Sequence, residues 1–408
     1  MEIRFPKLNK WQSDVFEDLK ENKYEVYVVK ARRQVGKSIL AITACLYYAF
    51  RERSISTIIE PTLAQCRRVF KQIVNSVGGE KSKLIKSANS TLLTIEFSNG
   101  SEIIFKSQEQ GEDALRGMTV KKGILICDEA AFLKNSVFEV LYPIVDANKA
   151  PVMLLSTPLF LSGEFYDKYI LGLGEGIVHS YDWSKYDTSI YLDPEKLEYY
   201  RKTISPLKFK SEYLGEFIEE GSYIFGDISN CITAYSKRAP IYAGIDWSVG
   251  NNNDYSVLTL MDSEGAVTNI YYYKNFTPTQ LVERFSADIK RHPSLKCVLV
   301  ETNSIGDVYM DFLKQKVKNN LIKGFTTTND SKRRIIEGLI SAFQQGKVQV
   351  PNEPELIKQL QHYNVEKTPT GKVTYNGADG VNDDFVLSLA FTYEAYKKGM
   401  GTFSLSFA

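Results

Sequence analysis

The chain has 408 residues, 43% of them hydrophobic and 24% charged, and this ordinary globular composition and length predict two or three domains. No run of about 18 apolar residues occurs and the first residues lack a signal peptide's apolar core, so neither a spanning helix nor a secretory start is expected. The net charge of +1 argues neither for nor against nucleic acid, and five scattered cysteines without a C-x-x-C pair predict a reduced, cytosolic protein.

The first chemical motif is "VVKARRQVGKS", which ends at Ser38 and has Ala31 where a phosphate-binding loop normally begins with glycine. The preceding residues 24–29 are rich in β-branched and aromatic side chains and predict a buried strand, and residues 38–50 carry the apolar face of a helix. In that context the backbone N–H groups of the loop face a phosphate. Lys37 is then expected to reach the β- and γ-phosphates of a nucleotide, and Ser38 to ligate Mg²⁺.

Other side chains of the loop, and one upstream of it, are candidate nucleotide contacts. A guanidinium from Arg32 or Arg33 inside the loop can lie against the γ-phosphate and stabilise transition-state charge; the alternative is electrostatic support of bound nucleotide without catalysis. Gln34 and Gly36 belong to the same loop and are included among the expected nucleotide-binding residues. Gln12 has an amide that can pair with the adenine edge, which favours ATP over GTP.

A second motif, "GILICDEAAF", is a short apolar strand that ends in Asp128 and Glu129. Such a strand carries two carboxylates to its carboxyl end, beside the phosphate loop. Asp128 is expected to hold the Mg²⁺ shell, and Glu129 to polarise the attacking water. The alternative is a core strand that ends in a solvated turn. Together with the phosphate loop, the pair predicts an ATPase.

A third apolar strand, "VMLLSTP", ends in the small hydroxyl residues Ser156 and Thr157. In helicase-like motors a segment of this kind couples loss of the γ-phosphate to movement. The alternative is a plain strand followed by a proline turn.

In the second half of the chain, acidic residues stand at the ends of predicted elements. Asp246 ends the strand of "PIYAGIDWS", Glu301 ends "KCVLVE", and Asp383 and Asp384 begin the amphipathic helix of "GVNDDFVLSLAFTYEAYKK". Strand-end Asp, strand-end Glu and helix-start Asp is the order of a ribonuclease-H-like fold. Their oxygens suit Mg²⁺ or Mn²⁺, and two such ions about 3.5–4 Å apart can activate water and stabilise the leaving oxygen in phosphodiester cleavage.

Several assignments in this half remain open from the residues alone. A strand-end Asp is often a turn residue, and Asp at a helix start is often an N-cap. Asp383 is the better N-cap candidate, which leaves Asp384 for the metal, but the reverse is possible. Asp254, after the "GNNN" loop, is a further candidate ligand. The three histidines are too few and too dispersed for a histidine-based nuclease, and the basic triplet Lys332-Arg333-Arg334 is more typical of a solvated helix face than of a DNA contact.

A motor ATPase followed by a ribonuclease-H-like nuclease resembles the large terminase subunit of tailed bacteriophages. The resemblance covers most of the chain and is carried by "ARRQVGKS", "IIEPTLAQCRRVF", "FSNGSEIIFKSQEQGEDALRG", "GILICDEAAF", "LLSTP", "FKSEYLGEF", "AGIDWS", "VLVETN" and "NDDFVLSLAF". It implies that Arg33 is an arginine finger in cis, that Ser156-Thr157 is the coupling motif, and that Arg116 is a looser candidate for DNA or a neighbouring subunit. The family tolerates Ala31 in the loop.

The resemblance also implies substrates and partners. It predicts ATP-driven translocation of double-stranded DNA into a procapsid and cleavage of concatemeric DNA, with ATP and Mg²⁺ (or Mn²⁺ at the nuclease site) as cofactors. The expected partners are the portal protein and the small terminase subunit. The chain is expected to form a homo-oligomeric ring on the portal, with a monomer in isolation as the alternative. Its expected location is the host cytoplasm and, transiently, the portal vertex. The chain is short for this family, and C-terminal elements for portal docking are expected to be absent. The alternative reading is a DNA helicase or repair ATPase with an appended nuclease.

The predicted fold class is α/β. A P-loop ATPase core with a mostly parallel sheet is placed at residues 1–162, a lid or linker at 163–237, and a ribonuclease-H-like nuclease with a mixed sheet at 238–408. The segment "LLTIEFSNGSEIIFKS" predicts a β-hairpin insertion that turns at Asn99-Gly100. In the linker, two helical segments are separated by Pro206.

Overall fold

The computed structural model describes residues 7–186, 193–219, 223–248, 254–303, 306–367, 373–378 and 381–401. The chain folds as two compact units. The first holds the described residues up to Leu197 and residues 207–219, and the second holds Glu198–Pro206 and the described residues from Tyr223 onward. Among these residues, no helix combines the length and apolar character needed to cross a bilayer.

The first unit is built on an eight-stranded sheet. Its strands follow the order β3-β4-β5-β2-β6-β7-β1-β8, and all neighbours pair in parallel except β4, which is antiparallel to both β3 and β5. The strands are β1 (Val26–Lys30), β2 (Ile55–Glu60), β3 (Ile85–Asn89), β4 (Thr94–Phe97), β5 (Glu102–Ser107), β6 (Lys122–Asp128), β7 (Val152–Ser156) and β8 (Val178–Asp182). The helices are α1 (Lys10–Lys20), α2 (Lys37–Arg51), α3 (Leu63–Ser76), α4 (Glu112–Arg116), α5 (Asn135–Asp146) and α6 (Glu164–Leu171).

Both faces of this sheet are covered by apolar side chains. Tyr27 and Val29 of β1 join a core with residues of α1, α2 and α3, whereas Val28 joins a second core with residues of α4, α5 and α6. Alternate residues of a strand point to opposite faces, so a strand buried on both sides reads as a continuous apolar run. This explains why "YEVYVV", "GILIC" and "VMLLS" were recognisable as strands in the sequence.

Two parts of the first unit differ from the sequence prediction. The predicted hairpin forms, with Gly100 in the turn at φ 82°, but β5 also pairs in parallel with β2. The hairpin is therefore part of the main sheet, which the local turn signal could not show. In addition, β8 pairs with β1, so one strand of the sheet lies inside the stretch expected to be the lid. The predicted domain boundaries otherwise stay predictions.

Three short helical segments lie where the chain passes between the units. They are α7 (Pro194–Thr203), α8 (Pro206–Lys208) and a π-helix at Phe209–Leu214. The π-helix is followed by Gly215, whose φ of 67° is in the left-handed region that favours glycine. Pro206 begins α8, which is consistent with proline's preference for the first turn of a helix.

The second unit is built on a mixed sheet in the order β12-β11-β10-β13-β14. The pairs β10–β11 and β11–β12 are antiparallel, whereas β10–β13 and β13–β14 are parallel. The strands of this unit are β9 (Ile232–Thr233), β10 (Tyr242–Asp246), β11 (Ser256–Met261), β12 (Val267–Tyr273), β13 (Cys297–Glu301), β14 (Ile322–Phe325), β15 (Val350–Pro351), β16 (Tyr363–Lys367) and β17 (Val373–Gly377). The helices are α9 (Pro278–Lys290), α10 (Gly306–Lys316), α11 (Asn329–Gln344), α12 (Pro354–Gln361) and α13 (Asp384–Gly401).

Helix α13 packs directly on β10. A Cβ atom at Gly244 would collide with the backbone nitrogen of Thr392 and the carbonyl of Ser388, so glycine is what permits this close approach. The Ser388 hydroxyl donates to the Gly244 carbonyl at 3.0 Å. The helix begins at Asp384, one of the two adjacent aspartates at which the sequence predicted its start. Its first turn is thereby held beside the carboxyl end of β10.

Candidate active sites

The phosphate loop of the first unit lies between β1 and α2, as predicted. Gln34 and Gly36 both have left-handed backbone conformations, with φ of 64° and 95°. A Cβ at Gly36 would stand 2.5 Å from Nε2 of Gln12, which donates to the Gly36 carbonyl at 2.8 Å. Gln12 therefore lies against the loop, and its predicted adenine contact remains a prediction.

Lys37 is folded back into the loop. Its Nζ donates to Thr157 Oγ1 at 2.8 Å, to the Arg32 carbonyl at 3.1 Å and to the Ala31 carbonyl at 3.3 Å, and its side chain is only 6% exposed. Glu129 Oε1 lies 3.8 Å from the same Nζ. The structure thus brings together the loop lysine, the acid at the end of β6 and the hydroxyl after β7, which the sequence had assigned separately.

Asp128 and Glu129 follow one another but are held differently. The Ser38 hydroxyl donates to Asp128 Oδ2 at 3.1 Å, and the Thr157 N–H donates to Glu129 Oε2 at 3.4 Å. Glu129 has a φ of 50°, a conformation that is uncommon for a non-glycine residue and recurs at functional sites. Burial, with the Glu129 charge as a second cause, raises the pKa of Asp128 to about 6.

These residues fit a magnesium ion. A hydroxyl and a carboxylate in direct contact, Ser38 and Asp128, supply the oxygen ligands that Mg²⁺ prefers. Burial first and the Glu129 charge second raise the pKa of Asp128, so the charged form of this carboxylate is disfavoured at its buried position. A divalent cation at this position would supply the missing positive charge.

Sequence reasoning missed Glu60, at the end of β2. In the register Ile59 lies beside Cys127, so Glu60 neighbours Asp128. Glu60 is 0% exposed, and among the described residues neither of its carboxylate oxygens has a hydrogen-bond partner. Burial, with the charges of Asp128 and Glu129 adding to it, raises its pKa to about 9. The signal was present in "IIEP", an apolar strand that ends in an acid like the one that identified Asp128.

The two loop arginines have different surroundings. Arg32 is buried, with its guanidinium 5.4 Å from the centre of the Trp183 ring. Arg33 is 62% exposed, and its Nη1 lies 3.2 Å from each carboxylate oxygen of Glu212. Arg116 is exposed and lies 3.9 Å from Glu112. The predicted roles of these arginines are not decided by these contacts.

In the second unit, Asp246 and Glu301 stand at neighbouring strand ends. Ile245 of β10 pairs with Val300 of β13, which places the next residue of each strand side by side. Asp246 is buried, and its pKa is raised well above the usual range by burial and by repulsion from Glu301, Asp384 and Asp383, in that order. The four acids predicted from the sequence are therefore electrostatic neighbours.

The structure distinguishes the two adjacent aspartates at the start of α13. Asp383 is at the N-cap position, where its carbonyl accepts from the Leu387 N–H, but its side chain accepts from Lys332 Nζ at 2.8 Å and from the Tyr363 hydroxyl at 3.3 Å. Asp384 Oδ2 accepts from the Tyr255 N–H at 2.8 Å. Burial raises the pKa of Asp384 to about 7, and the charge of Asp254 contributes to the increase.

Lys332 does not lie on a solvated helix face, contrary to the sequence expectation. Its side chain is 18% exposed, and besides Asp383 it contacts Asn376 Oδ1 at 3.0 Å. Arg333 and Arg334, by contrast, are exposed and pair with Asp330 and Glu394. Helical periodicity alone could not show that the first residue of the triplet turns toward the acids.

Divalent cations fit this acidic site by charge and by donor type. Across the described ranges, no three His, Cys, Asp or Glu side chains stand close enough to hold a metal ion together. Burial first, and then repulsion from the neighbouring carboxylates, raises the pKa of Asp246, and a divalent cation would relieve the repulsion. Carboxylate oxygens are the ligands that Mg²⁺ and Mn²⁺ favour. The "GNNN" loop before Asp254 lies outside the described residues.

The fold and sites define a P-loop NTPase-type unit followed by a ribonuclease-H-like unit. A family model described as "Terminase large subunit, T4likevirus-type, N-terminal" matches residues 30–228. The large terminase subunits of Thermus phage G20c and Thermus virus P23-45 are each 26% identical, over 90% of this chain and 83% of the relative. The crystal structure of a large terminase from a thermophilic bacteriophage superposes with a TM-score of 0.67 at 15% identity, covering 95% of this chain and 99% of that one.

These similarities confirm that the chain resembles the large terminase subunits of bacteriophages over most of its length. They also confirm the predicted fold class, a mostly parallel sheet in the first unit and a mixed sheet in the second.

Proposed function

We propose that the protein is the large subunit of a phage terminase. In this role, ATP hydrolysis in the first unit drives double-stranded DNA into a procapsid, and a two-metal site in the second unit cuts concatemeric DNA. The observation that supports the proposal is the set of mutual contacts that joins Lys37, Ser38, Asp128, Glu129 and Thr157 at one edge of the sheet. The large terminase of the thermophilic bacteriophage was crystallised with ADP and with ATP-γ-S, which supports ATP as the nucleotide.

In the proposed ATPase reaction, each group has one task. Lys37 would exchange its loop carbonyl contacts for the β- and γ-phosphates, and Ser38 and Asp128 would hold Mg²⁺. Bound there, Mg²⁺ would supply positive charge against the phosphates. Glu129 orients the attacking water and accepts its proton, and Arg33 stabilises the negative charge of the transition state.

We propose that Thr157 responds to the presence or loss of the γ-phosphate. Its hydroxyl accepts from Lys37 and its N–H donates to Glu129, so it contacts both the phosphate-binding and the water-orienting residue. When the γ-phosphate leaves, the surroundings of both partners change. We therefore assign Ser156-Thr157 as the segment through which hydrolysis is coupled to movement.

In the proposed nuclease reaction, Asp246, Glu301 and Asp384 would hold the metal ions, with Asp254 as a further ligand. The ions would activate a water and stabilise the leaving oxygen of the phosphodiester. The fold determines the positions of these carboxylates, because Asp246 and Glu301 end paired strands and Asp384 begins the helix that packs on β10.

Translocation of DNA also implies partners. Translocation requires contacts with DNA phosphates, so we expect a DNA affinity that depends little on sequence and strongly on salt concentration. The further expected partners are the portal protein of the procapsid, the small terminase subunit and other copies of this chain in a ring at the portal vertex, reached from the host cytoplasm.

The experiment that tests this proposal is plasmid cleavage combined with ATP turnover by the purified chain. We expect nicking and linearisation with Mn²⁺ or Mg²⁺ that EDTA and Asp246→Ala abolish, and ATP hydrolysis that DNA stimulates. ATP turnover without cleavage, together with strand separation of a forked duplex, would indicate a helicase and contradict the proposal.

A further inference from the structure

Tyr272 stands in line with Asp246 across three strands of the second sheet. Asp246 of β10 pairs with Val257 of β11, and Val257 pairs in turn with Tyr272 of β12. Directly opposed residues of paired strands point to the same face of a sheet. Two strand spacings separate the Cα atoms of Asp246 and Tyr272, which is about 10 Å. Tyr272 is therefore close enough to the acidic site to touch a substrate bound there.

The ring of Tyr272 belongs to an aromatic group beside the acids. Its centroid lies 5.1 Å from that of Phe385 and 5.6 Å from that of Tyr255. Tyr255 contacts the acidic site through its backbone, because its N–H donates to Asp384 Oδ2 at 2.8 Å. Phe385 is fully buried, whereas Tyr272 is 41% exposed. Tyr272 is thus the member of this group that presents its ring to solvent.

Lys274 adds a positive charge to the same surface. Its ammonium lies 5.0 Å from the centre of the Tyr255 ring, which is the ring that contacts Tyr272. In the part of the chain that the structure describes, no carboxylate stands within ion-pair distance of this ammonium. A cation held against an aromatic face keeps its charge for an anion. We name Tyr255, Tyr272 and Lys274 the aromatic patch.

The two ends of the Tyr272 side chain have different surroundings. Burial first, and then the charge of Glu353, raises the pKa of Tyr272. Glu353 also accepts from the Tyr235 hydroxyl at 3.3 Å. Since this carboxylate would repel a phosphate, the anion contact belongs to Lys274, and the exposed ring of Tyr272 is left for an uncharged, flat group.

A nucleotide of DNA offers both groups that the aromatic patch fits. Its base has a flat face that stacks on an aromatic side chain, and its phosphate carries the negative charge that a lysine binds. A base inside an intact duplex is covered on both faces by its neighbours, so it has to leave the stack before a protein ring can contact it.

We propose that the aromatic patch binds the nucleotide beside the scissile phosphate, with its unpaired base stacked on Tyr272 and its phosphate in contact with Lys274. This inference rests on the proposed nuclease function and specifies the form of DNA that the site prefers, a strand that is unpaired at the cut. A fully paired duplex is cut less efficiently because base pairs have to open first.

The test compares cleavage of two end-labelled oligonucleotide substrates of the same sequence in Mn²⁺, one fully paired and one with a central unpaired segment. The wild type has the higher kcat/KM on the second substrate. Tyr272→Leu lowers the ratio of the two kcat/KM values by about tenfold, as expected for loss of one stacked base, and the loss lies in KM. Tyr272→Phe keeps the ring and therefore the ratio. Tyr223→Leu removes an exposed tyrosine that packs against His362, and as the matched control it keeps the ratio.

Lys274→Gln gives a second and independent readout. It removes one phosphate contact, so the dependence of log KM on the logarithm of salt concentration becomes shallower by about one. Tyr272→Leu removes no charge and leaves this slope as in the wild type. Lys290→Gln, at the exposed end of α9, is the matched control for the lysine and also keeps the slope. Unfolding temperatures of all variants serve as the folding control.

Three results would overturn the inference. They are equal kcat/KM on the two substrates in the wild type, an unchanged ratio in folded Tyr272→Leu, or an unchanged salt dependence in Lys274→Gln. A folded wild-type chain that cuts neither substrate with Mn²⁺ or Mg²⁺ overturns the proposed nuclease function as well, whereas equally efficient cleavage of both substrates overturns the role of the aromatic patch alone.

Discussion

Lys37 Nζ lies 2.8 Å from Thr157 Oγ1, and this hydrogen bond connects the phosphate loop with the end of β7. The two residues are 120 positions apart in sequence. They meet because β1 and β7 are parallel neighbours, so their carboxyl ends lie at the same edge of the sheet. Any movement of Lys37 toward a nucleotide must therefore change the surroundings of Thr157.

Thr157→Val tests this connection. Valine keeps the shape of threonine but cannot accept from Lys37, and a hydrogen bond to a charged group contributes about 1.5–3 kcal/mol. If the bond re-forms as the γ-phosphate leaves, kcat for ATP hydrolysis falls by about tenfold or more while KM changes little. Steady-state kinetics with a coupled assay measures both. Unchanged kcat in a folded variant would show that the contact has no part in turnover.

The assignment of Asp384 and Asp383 predicts different losses on substitution. Asp384→Asn removes a metal ligand, so cleavage of plasmid DNA falls by about a hundredfold or more even at high Mn²⁺. Asp383→Asn leaves the ligands in place but alters the partner of Lys332, so it reduces cleavage less. Calorimetric titration with Mn²⁺ gives a second readout, in which Asp384→Asn shows the larger loss of affinity. The reverse ranking in both measurements would make Asp383 the ligand.

We expect the charge of Lys332, and not only its packing, to affect the cleavage reaction. Lys332→Gln leaves Asp383 without its cation beside three other acids, so the site gains negative charge. We expect Mn²⁺ to bind at least as tightly as in the wild type while the cleavage rate falls about tenfold, and Lys332→Arg to restore much of the rate. A parallel loss of metal binding and cleavage would instead indicate that the lysine only supports the fold.

Glu60 predicts a particular pH dependence of stability. Its ordinary pKa is 4.5 and its pKa in the folded protein is about 9, so between these values the folded chain holds a proton that the unfolded chain has lost. Stability contributed by this group is present at low pH and is lost as the pH rises through that window. Glu60→Gln cannot titrate, so its unfolding temperature should decline less than that of the wild type from pH 6 to pH 9. Parallel declines would show that Glu60 is ionised in the folded state.

The packing of α13 on β10 predicts an unequal pair of glycine substitutions. Gly244→Ala places a methyl group against backbone atoms of α13, which cannot move aside as a flexible side chain can, and should destabilise the second unit by about 3 kcal/mol. Gly338→Ala, within α11, meets only Lys397 Nζ at 3.4 Å and should be neutral or slightly stabilising. Urea denaturation distinguishes them, and equal effects would contradict the described packing.

The sequence was most informative where chemistry follows a local pattern. Asp128 ends an apolar strand of the first sheet, and Asp246 and Glu301 end neighbouring apolar strands of the second sheet, so a local pattern was enough to identify each acid as a strand end. Glu60 shows the same pattern, yet its significance depends on a neighbour, Asp128, that only the strand order supplies.

Other features depend on tertiary contacts that no local pattern shows. The partner of Asp383 is Lys332, which lies on another helix, and the partner of Arg33 is Glu212, which lies 179 positions away in the sequence. Strand β8 was missed because "VHSYD" is too polar to be recognised as part of a buried sheet, although three of its five residues are buried.

The central claim is that one chain carries two separate catalytic sites, and substitution of one acid in each site tests it most directly. ATP turnover and plasmid cleavage are measured on the same preparations of Glu129→Ala and Asp246→Ala, with unfolding temperatures as the folding control. We predict that Glu129→Ala abolishes ATP hydrolysis and retains cleavage, and that Asp246→Ala does the opposite. Loss of both activities in either variant, with the fold intact, would contradict the assignment of two independent sites.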